Sequence, residues 1–158
     1  MDAISNLATR NGDTTLHIVS WSSVPGAGLA ETFFRACDES NRLVRVDARN
    51  SSGDTPLLRA LLRDNEELAA LLLRRGADPN LVVDEFGDTT LHLICARDIW
   101  DRSARMLFKI CDESNQSLRV NARNKQGKTP LQLAVAKLLP DTVEVLLDHG
   151  ADLPNGLF

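Results

Sequence analysis

The chain has 158 residues and a mass of 17.4 kDa, with 18 basic and 22 acidic side chains for a formal net charge of −4. This near-balance argues against a dedicated nucleic-acid binder, and a hydrophobic content of 43% argues against a disordered acidic tail. Leucine occurs 25 times against five Phe, two Trp and no Tyr, a balance that favours helices over sheets.

Taken in chain order, the first residues are polar and carry no apolar stretch of the signal-peptide kind. The longest unbroken apolar run, Leu68 to Leu73, is far short of the roughly 20 residues a membrane-spanning helix needs. Gly12 opens the first of four copies of Gly-x-Thr-(Thr/Pro)-Leu; the others begin at Gly53, Gly87 and Gly127, at spacings of 41, 34 and 40 residues. In each copy the Gly suits a tight turn, the Thr suits a helix N-cap, and Pro56 and Pro130 suit the first helical position. A short apolar helix follows, then a second one. Glu66 to Arg75 and Asp141 to His149 show the i, i+3, i+4 apolar spacing of such second helices, and Gly76 and Gly150 suit their left-handed C-terminal residues.

The first and third copies are longer. Their second helices are expected to run on through Phe33–Cys37 and Leu107–Cys111 and to give way to loops at Asp38–Val46 and Asp112–Val120. Both loops are expected to be ordered and protruding, with Leu43, Val44 and Leu118 tucked against the helices. Cys37–Ala60 matches Cys111–Ala134 at 15 of 24 positions with an offset of 74, so the unit that duplicated was one long and one short repeat.

The pattern Gly-x-Thr-Pro-Leu-His followed by Leu-Leu-x-x-Gly-Ala-Asp-x-Asn resembles the ankyrin repeat over nearly the whole chain. The resemblance implies an all-α solenoid of stacked helix-turn-helix pairs with short β-hairpin fingers. A single domain over 1–158 is expected, with repeats at about 9–49, 50–83, 84–123 and 124–158 and with 1–8 as the tail of a preceding repeat. On this reading the chain is a fragment of a longer array.

The residues that carry chemistry elsewhere have structural roles available here. His17 and His92 share one repeat position, where Leu58 and Gln132 stand in the other copies, which argues against a catalytic requirement; the resemblance implies that they bridge backbone groups between turns. His149 falls at a helix C-terminus, where positive charge complements the helix dipole. His92 and Cys95 share a helical spacing but lack further ligands, and Cys37, Cys95 and Cys111 are expected as packing thiols. Neither an isolated-Gly pattern nor the adjacent acids Asp38/Glu39 and Asp112/Glu113 suggest a catalytic site. No catalytic residue, cofactor or metal is expected.

The sequence therefore points to a non-enzymatic protein-interaction module that binds through a concave groove and its fingers; a structural spacer within a longer array is the alternative. Finger-tip candidates are Arg10, Asp13, Ser52, Asp54, Glu85, Phe86, Asp88, Lys125, Gln126 and Lys128, with Phe86 the one aromatic anchor among them. Groove candidates are Arg59, Arg63, Arg97 and Lys137, opposed only by Asp64 and Asp98, which favours a protein partner with an acidic face. Trp21 and Trp100, with Leu138 and Leu139 in the last copy, are candidates for an apolar ridge at the groove rim. No nucleic acid or membrane partner is expected, and a monomer located in the cytoplasm or nucleus is.

Overall fold

Each Gly-x-Thr turn starts a helix, and the physical reason is visible at the helix N-termini, where the first backbone N–H groups lack partners within the helix. The computed structural model of the protein describes residues 7–22, 26–97 and 101–153. Among the described residues there are eight helices: α1 (Thr15–Trp21), α2 (Gly26–Glu39), α3 (Pro56–Leu62), α4 (Glu66–Arg74), α5 (Thr90–Arg97), α6 (Ser103–Glu113), α7 (Pro130–Ala136) and α8 (Pro140–Asp148). The Thr55 side chain accepts the Leu58 N–H at 3.2 Å, and Thr129 accepts that of Gln132 at 3.4 Å. Pro56, Pro130 and Pro140 occupy first helical positions, where a missing N–H costs nothing.

The helices fall into two compact units, Met1–Asp78 and Pro79–Phe158. In the first, α1 packs on α3 and α2 on α4, while α1–α2 and α3–α4 form the two helix pairs. In the second, α5 packs on α7 and α6 on α8, with α5–α6 and α7–α8 as the pairs. Within each unit the two helix pairs lie side by side. Leucine stripes hold each unit together: Leu57, Leu58, Leu61, Leu68 and Leu72 are fully buried in the first, and Leu91, Ile94, Leu107 and Leu131 in the second. Each such side chain contributes about 1.5–3 kcal/mol. The three cysteines are buried thiols, as their apolar positions required.

The fingers are tight turns, two of them closed by a single antiparallel bridge, Ala8 to Thr14 and Val82 to Thr89. Gly12 and Gly87 need to be glycine twice over. Both have positive φ, and a Cβ would approach within 3.1 Å of the Asn50 backbone or 3.2 Å of the Lys125 backbone. That close approach is what lets Ser51 N–H reach Asn11 C=O and Lys125 N–H reach Phe86 C=O, each at 2.8 Å.

Two expectations about the long repeats change. Helices α2 and α6 continue to Glu39 and Glu113, so Asp38 and Asp112 are helical and the loops begin later. Leu43 does not tuck in. It is 85% exposed, whereas Val44 and Leu118 are half-buried. Asn41 and Asn115 explain the geometry: both take the left-handed conformation (φ 52° and 54°) just past the helix end, turning the chain away.

The start of α8 has no side-chain cap of its own, because Leu139 stands where α4 has Asn65, whose side chain accepts the Leu68 N–H at 3.1 Å. Asp101 supplies the missing acceptor from the neighbouring repeat. Its two carboxylate oxygens take the N–H groups of Asp141 (2.7 Å) and Thr142 (2.8 Å). Asp101 itself sits at φ 56°. Asp101→Ala should therefore lower stability by about 1–2 kcal/mol, through the lost cap and a poorer left-handed residue, while Asp101→Asn keeps much of it. Thermal unfolding checks this; equal melting of the Ala variant and the native chain would contradict the cap.

Candidate interaction surface

In each unit a buried histidine ties the start of one helix to the backbone of the next turn. In the first unit, His17 is fully buried on α1 and its Nδ1 accepts the Thr14 N–H at 3.1 Å. An accepting Nδ1 requires the proton on Nε2, which donates to the Asp54 carbonyl at 2.8 Å, 37 residues further on. Burial lowers the His17 pKa below its ordinary value of 6.5; the Asp54 carbonyl acts against the shift, and the Arg59 charge adds to it. Asn50 completes the connection. Its Nδ2 donates to Asp13 at 2.8 Å, and its Oδ1 accepts from Ser52 N–H at 3.0 Å and Asp54 N–H at 2.9 Å.

The second unit repeats the arrangement. His92 Nδ1 accepts the Thr89 N–H at 3.2 Å and Nε2 donates to the Lys128 carbonyl at 2.9 Å. Asn124 donates to Asp88 at 2.7 Å and accepts from Gln126 and Lys128 N–H, both at 3.0 Å. With both ring nitrogens of His92 engaged, the pairing with Cys95 offers no lone pair to a metal. Where the fourth copy has Gln132, its Oε1 does half of the histidine's work, accepting the Thr129 N–H at 2.9 Å.

These bonds decide where the predicted surface residues stand. Asp13, Asp54 and Asp88 are half-buried and face the network rather than solvent. Arg59, expected as a groove cation, is instead held between two carboxylates, 3.1 Å from Asp13 and 3.6 Å from Asp54, with only 15% of its side chain exposed. The correction follows from the finger geometry, which brings Asp13 and Asp54 together over α3. Arg63 is exposed and lies over the Trp21 ring, 3.8 Å from its centroid, with Arg59 at 5.4 Å. Trp21 is exposed and borders an open cleft of about 1140 Å³ that also includes Arg63, Asp64, Glu66, Glu67 and Arg74. The cleft wall is therefore mixed in charge rather than basic.

In the second unit, Phe86 is exposed at its finger tip, where Asp84 accepts the Phe86 N–H at 3.0 Å and the Asp88 N–H at 2.9 Å. Glu85, Lys125, Gln126 and Lys128 are exposed around it, as are Arg97 and Lys137, and in the first unit Arg10 and Ser52. The expected ridge divides: Leu138 is 85% exposed at φ 56°, but Leu139 is buried. Trp100 and Asp98 lie outside the described residues.

His149 does more than complement a dipole. It stacks on Phe108 (centroids 4.1 Å apart), its Nδ1 approaches the Val145 carbonyl at 2.7 Å, and its Nε2 meets the Asp112 carboxylate at 3.1 Å. Burial alone would lower its pKa, but the hydrogen bonds to Val145 and Asp112 together raise it. Beneath it, burial and the Asp112 charge push the Cys111 thiol up to about 11, which makes it a packing residue and not a nucleophile. In the first unit, Arg75 takes the His149 position, reaching Asp38 at 2.7 Å and lying 4.7 Å over Phe34.

Asn50, Asn124 and Asp84 are the residues that sequence reasoning missed. Their signal is positional: each stands three residues before a turn glycine.

A model of three ankyrin repeats matches residues 70–155, more than half of the chain, and a single-repeat model matches 52–84. The chain belongs to the ankyrin-repeat family. The human B-cell lymphoma 3 protein is 32% identical over 153 residues, covering 96% of this chain and 32% of that protein. Human NF-kappa-B inhibitor alpha is 30% identical over 145 residues, covering 92% of this chain and 44% of that protein, and the ANK repeat-containing protein nipk-1 of Caenorhabditis elegans is 34% identical over 128 residues, covering 79% and 20%. The chain thus spans about a third of the B-cell lymphoma 3 protein. No described helix is long and apolar enough to cross a membrane.

His17 and His149 should respond to pH with opposite sign. The His17 pKa is lowered, so the stability its neutral ring contributes is complete above about pH 6.5 and is lost as pH falls through the folded-state value. His17→Gln keeps an acceptor for Thr14 and cannot titrate. Native protein should melt above this variant at about pH 8, and its lead should shrink as the solution is acidified. A lead independent of pH would contradict the buried neutral ring. The His149 pKa is raised, so its contribution is complete below about pH 6.5 and is lost as pH rises through the folded-state value. In an NMR titration, Asp112→Asn should move the His149 midpoint down; an unmoved midpoint would remove Asp112 as the cause.

Proposed function

We propose that the chain is a non-catalytic protein-interaction module whose binding anchors are exposed aromatic side chains, one held at a finger turn and one at a helix end. The observation that carries the reading is the contrast between Phe86 and the groups beneath it. Its backbone is fixed by Asp84 on one side and by Lys125 N–H on the other, while its ring is exposed. A side chain presented this way loses little entropy on binding. Trp21, exposed and overlain by Arg63, is the corresponding anchor in the first unit.

The partner is a protein. Lys125 and Lys128 beside Phe86 favour an acidic face there, with Glu85 and Gln126 supplying polar contacts at the rim. NF-kappa-B inhibitor alpha bears in its name the inhibition of another protein, and its likeness over 92% of this chain supports a regulatory contact of the same general kind. Histidines whose ring nitrogens are committed to backbone support a role without catalysis. Buried thiols go with a cytoplasmic or nuclear setting.

The test is affinity capture with this chain, followed by calorimetric titration of the captured partner against the native chain, Phe86→Ala and Trp21→Ala. Each replacement should weaken binding about tenfold or more without changing thermal unfolding. Binding by both variants equal to native would remove these anchors. A chain that retains no partner above background would instead be a spacer.

A further inference from the structure

The internal duplication allows the cleft of the first unit to be compared with the same place in the second. At the offset of 74 residues that aligns Cys37 with Cys111 and Gly76 with Gly150, α2 and α4 correspond to α6 and α8. In the second unit, side chains span the space between the two helices. Arg105 of α6 meets Glu144 of α8 at 2.9 Å, and Asp101 reaches the first N–H groups of α8. In the first unit Ala27 and Ala70 stand in place of Asp101 and Glu144, and Glu31 stands in place of Arg105. Ala70 offers Glu31 nothing to pair with, and a Cβ added at Gly28 would meet nothing within 4 Å. The cleft of about 1140 Å³ thus lies where the second unit has its own bridge.

The cleft also has a sign. Glu31, Asp64, Glu66 and Glu67 line it against Arg63 and Arg74, and Arg63 is laid over the Trp21 ring. Glu31 and Glu67 are exposed, and among the described residues no ion pair engages either. Arg74 and Glu31 also line the adjoining space with Arg35, which bounds the acidic stretch on that side. We propose that this cleft receives a basic segment of the partner protein, with an arginine or lysine side chain entering between Glu31 and Glu67 beside Trp21. The segment brings from outside the cation that Arg105 supplies in the second unit. A guanidinium suits the place best, because its planar fork pairs with carboxylates and its face stacks on an aromatic ring. This inference rests on the reading of the chain as a protein-interaction module and adds the chemistry of the partner at the Trp21 anchor.

The test titrates acetylated triarginine amide, and separately acetylated triglutamate amide, into the isotope-labelled chain and follows both by NMR. Triarginine should shift the Trp21 indole signal and the backbone signals of Glu31 and Glu67, and triglutamate should leave them in place. Glu31→Gln and Glu67→Gln should each weaken triarginine binding by about two- to fivefold, the range for one exposed ion pair. Glu31→Arg combined with Ala70→Glu installs the second unit's bridge across the cleft and should weaken binding by about tenfold or more. Glu113→Gln on α6 changes the net charge by the same amount as that pair of substitutions and should bind as the native chain does. If the combined variant unfolds on thermal scanning, the two Gln variants stand in for it. Triarginine shifts confined to other residues overturn the proposal. So does binding unaffected by the cleft substitutions, or triglutamate bound in the cleft. If one of these results came together with partner capture that is still weakened by Phe86→Ala, the interaction module would stand and only the basic segment would be removed.

Discussion

A buried side chain that reaches from one repeat to the backbone of the next turn is the constraint on which each unit depends. His17 joins the start of α1 to the Asp54 carbonyl, and His92 joins the start of α5 to the Lys128 carbonyl. A leucine stripe alone is indifferent to small rotations of one helix pair on another, because apolar burial has no preferred direction. A hydrogen bond of 2.8–2.9 Å to a carbonyl some 37 residues away has a direction, and leaving it unmade strands a polar group in the core. Asn50 and Asn124 add a second direction by joining the same turns through Asp13 and Asp88. Together these bonds make the fingers rigid, and the rigidity is what positions Phe86.

The same logic shows how the two units reach similar geometry with different chemistry. Asp47 receives the Asp78 N–H on its carboxylate; Asn121 does this for Asp152 with an amide, and its Nδ2 also donates to the Gly150 carbonyl. Burial raises the Asp47 pKa, the cost of using a charge where the second unit uses a neutral group. Arg75 over Phe34 and His149 over Phe108 are a second such pair. At the turn between helices, Asp64 and Leu138 share a left-handed backbone at φ 58° and 56°. Aspartate tolerates that conformation better than leucine does, so Leu138 adds backbone strain to its exposure.

The fold was legible in the sequence because its determinants are local and recur. A glycine at positive φ, a capping threonine, a proline at the first helical position and a leucine stripe each leave a fixed mark at a fixed spacing. The bridging role of the histidines was implied by the family resemblance, and Leu58 and Gln132 at the equivalent positions argued against a catalytic requirement. What escaped was set by contacts across about 37 residues. Arg59 reads as a groove cation until Asp13 and Asp54 are seen to converge on it. Asp101 is an unremarkable loop acid until α8 proves to lack its own cap. Leu43 looks like a core residue by type, and only the left-handed Asn41 two residues before it turns that segment outward.

The claim at the centre of this account is that His17 and His92 are neutral, with the proton on Nε2 and an accepting Nδ1. Long-range proton–nitrogen correlation spectra of the imidazole rings at neutral pH read this directly. Both rings should appear as the Nε2–H tautomer, with Nε2 protons slow to exchange with water. A charged ring, an Nδ1–H tautomer or rapid averaging between the two at either position would contradict it.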